Sequence, residues 1–463
     1  MREPRQRKKM PTGRVVPEER GNLELRSAIT MASDFEAARE WFLEGIAHFQ
    51  INDFARAEDC FLASLARAPG RVSTLVNLGA TRLKLGRPTD ALQSLDEAVG
   101  LRADDADAWS HRGVALGDLG RADEAVASHG RALELDPGRA TDLFHRGLAR
   151  NVRGRHDEAL RDFASVLALK PADGEAWFRH GQTLQLLDRH DEALASYDKA
   201  LASDPGHAQA WSNRGGILRD MKRLAEAADC YEQALAHGAD EALHRYFLAA
   251  VRDGPAPAQP PGPYVESLFD HYAEDFDAHL LQALRYQAHA VLVDGLAGLA
   301  SRWFVHALDL GCGTGLCGPL VKPRVERLDG VDLSGAMLDK ARALGVYTEL
   351  TRSDLVEHLR STPARHDLVL AADVFIYIGD LVPVFEGVSR VLQPQGVFCF
   401  SVELAGGGDD FELRPSLRYA HSERFVRRLA ESHGLALRQC LRQPIREEQG
   451  APIDGLFVYL EKR

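Results

Sequence analysis

Between residues 35 and 253, apolar and small positions recur at helical spacing inside a longer period of 34 residues. Gly45, Gly79, Gly113, Gly147, Gly181 and Gly215 share one slot, and Ala57, Ala91, Ala125, Ala159, Ala193 and Ala227 share a second. Pro69, Pro137, Pro171 and Pro205 hold a third, with Ala103 and Ala239 in its remaining places. The pattern predicts two helices and a short turn in each unit. In the fourth unit they fall near Ala140–Arg153 and His156–Leu169. The glycines and alanines read as points of close helix crossing, where a larger side chain would force the backbones apart. Trp109, Phe163, Trp177, Tyr197, Trp211 and Tyr231 are expected to fill the remaining space. The proline is expected to end the second helix, because it lacks an N–H and restricts the residue before it. Asp240–Arg252 has helical patterning with no second helix after it and reads as a cap.

A 34-residue period with this pattern resembles the tetratricopeptide repeat. The resemblance covers residues 35–254, about six units plus the capping helix, and implies an all-α solenoid. One unit cannot bury its apolar face, so the units must stack. In this family the concave groove takes a protein or an extended peptide, and that is the partner expected here. Arg112, Arg146, His180 and Arg214 share a slot. They either form a cationic ladder or pack their stems on neighbouring residues, and packing is the expectation.

Residues 254–263 read GPAPAQPPGP. Proline at this density cannot continue a helix and predicts an extended, semi-rigid spacer between residues 35–253 and 264–463. Beyond it the 34-step disappears. Short apolar runs alternate with amphipathic helices, the pattern of a mostly parallel sheet. The expected strands are Val305–Leu310, a run ending at Val331-Asp332, one ending near Asp354, Asp367–Ala371 and Gly396–Val402. A terminal hairpin is expected from Leu435–Leu441 and Gly455–Leu460. In the helix predicted over Tyr264–Leu284, Phe269, Tyr272 and Phe276 share a face.

The first strand runs into Asp309-Leu310-Gly311-Cys312-Gly313-Thr314-Gly315. Three close glycines let the backbone turn sharply and approach a ligand without Cβ clashes. The following helix offers free N–H groups. Asp332, at the end of the next strand, stands where an acid accepts hydrogen bonds from ribose hydroxyls. The glycine spacing alone also satisfies a dinucleotide pattern. Asp309 separates the two readings, since an acid there repels a diphosphate but holds an ammonium.

Asp309–Gly315 together with Val331-Asp332-Leu333-Ser334 and Met337-Leu338 resembles the class I S-adenosylmethionine-dependent methyltransferases, particularly the ubiquinone-biosynthesis type. The whole order resembles bacterial predicted methyltransferases that carry tetratricopeptide repeats. The resemblance implies a Rossmann-like α/β domain and S-adenosylmethionine as cofactor. It implies that Asp309, Gly311, Cys312, Gly313 and Gly315 hold the methionine part, that Asp332 binds the ribose, and that Leu333 and Met337 lie against the adenine. Asp354 and Leu355 match the acid and hydrophobe at the adenine edge, and Ala372 lies in the segment closing over the sulfonium. In this reading the helix carrying Tyr272 and His279 covers the cofactor. Asp373, Tyr377, Glu403, Tyr419 and His421 fall near the acceptor side, with Asp373, Tyr377 and His421 the general-base candidates. An Asn-Pro-Pro-Tyr motif is absent after the fourth strand, where Ala372-Asp373-Val374-Phe375 stands. That weakens methylation of adenine or glutamine nitrogens.

Composition narrows the picture further. The 463 residues carry a net charge of −12, which argues against general affinity for nucleic acid. Six scattered cysteines with no C-x-x-C pair fit a reducing cytoplasm. Cys312 and Cys317 lack further ligands at metal spacing, and no metal is expected there. No apolar run is long enough to span a membrane. Residues 1–34 read as a basic, unstructured terminus without a secretory h-region, and Met31 is an alternative start to Met1. Two rival functions stand beside the methyltransferase. One is a non-enzymatic adaptor with a vestigial cofactor domain, and the other a nicotinamide-dependent oxidoreductase. The methyl acceptor is expected to be a protein side chain or a small molecule.

Overall fold

The structure, a computed structural model, describes residues 17–252, 254–272, 280, 284–299, 303–448 and 450–463; within these, the side chains of 17–32, 271–272 and 297–299 lie outside the description. The chain divides into two compact units, Met1–Pro205 and Gly206–Arg463.

The described residues of the first unit form helices joined by short turns. Its described helices pair as α1 (Pro17–Gln50) with α2 (Phe54–Arg67), α3 (Val72–Lys84) with α4 (Pro88–Leu101), and α5 (Ala106–Asp118) with α6 (Ala122–Leu135). Then follow α7 (Ala140–Val152) with α8 (His156–Leu169), and α9 (Gly174–Leu186) with α10 (His190–Ser203). Helix α1 begins well inside the stretch expected to be unstructured. Pro17 at its start suits a helix N-terminus.

The glycine slot is a site of close approach. A Cβ on Gly45 would stand 2.7 Å from the Phe61 ring, one on Gly79 2.5 Å from Leu95, and one on Gly147 2.9 Å from Phe163. The residue opposite is Phe61, Leu95, His129, Phe163 and Tyr197 in successive units, each buried. At the polar exception, His129 meets Asp142 at 2.7 Å, and Asp142 also accepts from Arg139 at 2.6 Å. Buried charge of this kind is tolerated only when paired.

Two expectations change. Trp109 and Trp177 are half-buried, and their indole N–H groups donate to the carbonyls of Ala103 and Pro171 at 2.9 Å. A polar handle of this kind needs a partner near the surface. Proline does not by itself end the second helix. Helix α4 stops two residues before Ala103, just as α2 stops two residues before Pro69. The capping residues Arg102 and Ala68 share an extended backbone (φ −144° and −138°).

The second unit opens with α11 (Ala208–Asp220), α12 (Leu224–Ala236) and α13 (Glu241–Val251), the last helical pair and its cap. The proline-rich segment after them is not a free spacer. Pro260 is buried, and the Ala258 carbonyl accepts the amides of Gly379 and Asp380, both at 2.9 Å. The Tyr246 hydroxyl of α13 donates to the Leu417 carbonyl at 2.7 Å. Tyr246, Ala250, Leu417 and Tyr419 form one apolar cluster, so the cap packs on the sheet domain. The prolines impose extension, and burial then decides where the extended chain lies.

Helix α14 (Gly262–Tyr272) leads into that domain. Its described strands form one sheet in the order β3 (Glu349–Arg352), β2 (Val325–Asp332), β1 (Phe304–Leu310), β4 (His366–Ala371), β5 (Leu392–Leu404), β7 (Tyr419–His421), β6 (Phe411–Leu413). The pairs β1–β2, β2–β3, β1–β4, β4–β5 and β5–β7 are parallel. The terminal hairpin, β8 (Leu435–Glu448) and β9 (Ala451–Lys462), adds antiparallel pairing against β5. Leu308, Leu310, Val369 and Phe398 face one core, and Ala307, Leu368, Leu370 and Tyr459 face another. A sheet covered on both faces makes its strands read as unbroken apolar runs. The strand order reverses between β1 and β4, and in open sheets of this kind the crevice at that point binds ligands.

Candidate functional site

The loops that follow β1 and β4 wall a cavity of about 740 Å³, within the size range of small-molecule sites. Gly311 and Gly313 lie in the left-handed region (φ 65° and 54°). A Cβ on Gly313 would meet nothing within 4 Å, so this glycine leaves open space beside the cavity. The loop is held from below. Asp332 accepts the Gly313 amide through Oδ2 at 2.8 Å and the Ser334 amide through Oδ1 at 2.9 Å. Ser334 in turn caps the helix Gly335–Ala343 through the Met337 amide at 3.2 Å.

Asp309 is 2% exposed and lines the cavity. Its Oδ2 accepts the Tyr347 hydroxyl at 2.7 Å. Burial pushes its carboxyl up to about 7 against the stabilising Tyr347 bond, and the charge of Asp332 adds to the rise. Burial also raises the Asp332 carboxyl, opposed by the amides of Ser334 and Gly313. A cationic ligand group beside Asp309 restores its charged form.

The far wall holds a second charged group of residues. Arg446 on β8 is 2% exposed, lies 3.3 Å from both Asp373 oxygens, and pairs with Glu403. Glu403 also accepts from Arg414 at 2.9 Å. Asp373 has φ 58°, and its amide bonds the Ser401 hydroxyl at 2.8 Å. Burial raises its carboxyl, and Arg446 opposes the rise. Tyr264, Leu268 and Phe269 of α14 line the cavity, and Phe269 meets the Tyr377 ring edge-on at 5.1 Å.

Of the residues singled out in the sequence, Asp309, Gly311, Cys312, Gly313, Asp332, Met337, Ala372, Asp373 and Tyr377 line this cavity together. Gly315, Leu333, Asp354 and Leu355 are not among its described lining residues. Gly315 (φ 91°) packs against Leu344 and Tyr347. Asp354 caps the helix Leu355–Ser361, accepting the amides of Val356 and Glu357 at 2.9 and 3.0 Å. His421 is not brought to the cavity. It is fully buried on β7, its Nε2 lies 3.0 Å from the Gly379 carbonyl, and burial lowers its imidazolium to about 4. A carbonyl only accepts, so Nε2 carries the proton, and the unprotonated Nδ1 is buried away from the cavity lining. Tyr419 is likewise fully buried on β7. The side chain of Tyr272, and Phe276 and His279 entirely, lie outside the described residues.

Tyr286, Tyr347, Arg418 and Arg446 escaped the sequence reading. Arg446 sits in the polar stretch Arg442–Glu448, where an inward charge looks like its solvent-facing neighbours. Tyr347 and Tyr286 have no motif around them, and only the fold brings them to Asp309 and Asp373.

A family described as a methyltransferase domain matches residues 307–396, and one described as a tetratricopeptide repeat matches 42–104, 76–140, 144–208 and 178–242. The chain is 32% identical over 119 residues to malonyl-[acyl-carrier protein] O-methyltransferase of Serratia marcescens, covering 26% of this chain and 46% of that one. It is 29% identical over 115 residues to ubiquinone biosynthesis O-methyltransferase of Azoarcus sp. (strain BH72), covering 24% and 47%. It is also 32% identical over 125 residues to mouse arginine-hydroxylase NDUFAF5, mitochondrial, covering 27% and 36%. The chain thus spans less than half the length of these curated relatives. Among solved structures, MamA protein resembles it with TM-score 0.35 and 27% identity over 38% of this chain and 95% of that one. No described helix is long and apolar enough to cross a membrane.

Proposed function

We propose, for a chain that carries tetratricopeptide repeats followed by a methyltransferase domain, that the cavity at the β1–β4 crevice binds S-adenosylmethionine and presents it to an acceptor. The observation that carries this reading is the buried Asp309 beside two left-handed glycines, with open space where a Gly313 side chain would stand. An acid and a bare loop suit a zwitterionic amino-acid nucleoside and oppose a diphosphate.

S-adenosylmethionine supplies an activated methyl group together with its leaving group. The chain supplies position. Asp309 holds the ammonium, the Gly311–Gly313 backbone cradles the methionine part, and Asp332 braces the loop while receiving the ribose hydroxyls. Met337 packs beside the adenine. Tyr264, Phe269 and Tyr377 form the apolar wall against which the acceptor lies, with Arg418 and the Arg446–Asp373 pair at its polar end. Alignment of this kind is worth roughly 7–11 kcal/mol. A base is needed only for an acceptor that is protonated at working pH, and Asp373 is the candidate at that end. The repeats recruit a protein or an extended peptide segment, which is either the acceptor or its carrier.

Thermal shift and calorimetry with S-adenosylmethionine, S-adenosylhomocysteine and NAD test the site. Stabilisation by the two sulfur ligands is expected, and stabilisation by NAD alone overturns the reading. Radiolabelled methyl transfer into lysate then separates enzyme from adaptor. The arginine-hydroxylase relative supports a second reading, in which the same site serves another reaction. Tight cofactor binding with no label transferred to protein or small molecule would favour it.

A further inference from the structure

In the second to sixth helical pairs one polar position on the second helix is tied to the first helix by a basic side chain. Arg82 donates to Ser94 at 2.7 Å, Arg112 to Ser128 at 2.7 Å, and Arg146 to Asp162 at 2.7 Å. His180 lies 3.0 Å from Ser196, and Arg214 lies 3.0 Å from the Cys230 sulfur. At the 34-residue step, the same places in the first pair hold Glu44, His48 and Cys60. No guanidinium is among them. A carboxylate, an imidazole and a thiol converge instead, with their ligand atoms all within 4.8 Å of one another.

The imidazole is set up for a ligand. Its Nε2 faces Glu44 at 4.0 Å, and its Nδ1 faces Asp53 at 3.6 Å. Nδ1 is buried without a hydrogen-bond partner. Metal-bound imidazoles turn their second nitrogen to a carboxylate in this way. Cys60 is 4% exposed while Glu44 is 56% exposed, so a cation here is walled by protein on the thiol side and open to water at the carboxylate.

We propose that Glu44, His48 and Cys60 bind a divalent cation of the zinc class, which joins α1 to α2 as a basic side chain does in the later repeats. Mixed sulfur, nitrogen and oxygen donors select such ions over magnesium or calcium. Tetrahedral bonds of about 2.0–2.3 Å put ligand atoms roughly 3.3–3.8 Å apart, so the donors close by about an ångström through side-chain rotation. The Cys60 thiol gives its proton to solvent as the metal–sulfur bond forms. The inference is independent of the methyltransferase reading.

Cobalt(II) added to the reduced full-length chain tests it, followed by competition with zinc(II). One equivalent is expected to give a thiolate-to-cobalt absorption that zinc abolishes. Cys60→Ser and His48→Arg copy residues the other repeats carry at these places, so the fold is retained. Each should weaken cobalt binding at least about a hundredfold and remove the absorption. Asp53→Asn keeps the helix cap and should cost about tenfold. Cys230→Ser should change nothing. Absence of the absorption in the native chain, or its survival in Cys60→Ser, overturns the proposal.

Discussion

The repeat glycines that face a partner helix and Gly313 of the loop after β1 serve opposite ends. In the repeats, a Cβ on Gly45, Gly79 or Gly147 would run into a buried side chain of the facing helix. At Gly313 it would meet nothing within 4 Å. The first kind of glycine is kept by what is already packed against it, and the second by space left for something else. A packing glycine should therefore answer to stability, and a loop glycine to ligand affinity.

The sharpest test of the ligand side is Asp309→Asn. Losing a buried charge-assisted contact worth about 2–3 kcal/mol should weaken S-adenosylmethionine binding about a hundredfold by calorimetry. The unliganded variant should melt no lower than the native chain, because burial already disfavours the Asp309 charge. A fall in melting temperature with unchanged affinity would make Asp309 a structural acid.

Gly147→Ala and Gly313→Ala set the two glycines side by side. Overpacking at Gly147 should cost about 1–3 kcal/mol in denaturant unfolding and leave cofactor affinity alone. Alanine at Gly313 adds left-handed strain of about 1–2 kcal/mol and should also cut affinity about tenfold by filling the cradle. Equal affinity for both variants would break the comparison.

The pH dependence separates Asp309 from the rest. Its carboxyl stands at about 7, against an ordinary 3.8. Below about 7 the empty site is protonated, and the proton must leave before a cation is held. Affinity should therefore rise by up to tenfold per unit as pH increases toward about 7, then level. Asp309→Asn should flatten the profile. Folding stability of the empty protein runs the other way. Between about pH 4 and 7 the unfolded chain has lost this proton and the folded chain has not, so the contribution falls as pH rises.

The smallest effect lies in the repeat turns. Asn52, Gly86, Gly120, Gly154, Asp188 and Lys222 occupy one place at the 34-residue step, and all have positive φ, between 56° and 73°. Lys222 is the least suited to it. Lys222→Gly should stabilise the chain by about 1 kcal/mol in thermal unfolding, and a loss would show that the lysine side chain makes compensating contacts.

The helices of the repeats were legible almost to the residue, because each contact that shapes them is local and recurs. The expected segment His156–Leu169 is helix α8 as observed. In the sheet domain, the strand runs and the glycine loop could be read from local pattern. Arg446 could not, since its partners Asp373 and Glu403 lie 73 and 43 residues away. His421 looked like a base, but β7 buries it completely away from the cavity, with its Nε2–H donating to the Gly379 carbonyl.

Periodicity and the spacing of Asp309, the glycines and Asp332 were enough to give a repeat array and an α/β crevice, because both follow from contacts between near neighbours in the chain. Burial of Asp309, the docking of the proline-rich segment and the meeting of Glu44 and His48 with Cys60 came only from tertiary structure. Charge and coordination depend on which groups share a space, and residues on separate elements acquire that neighbourhood only when the chain packs.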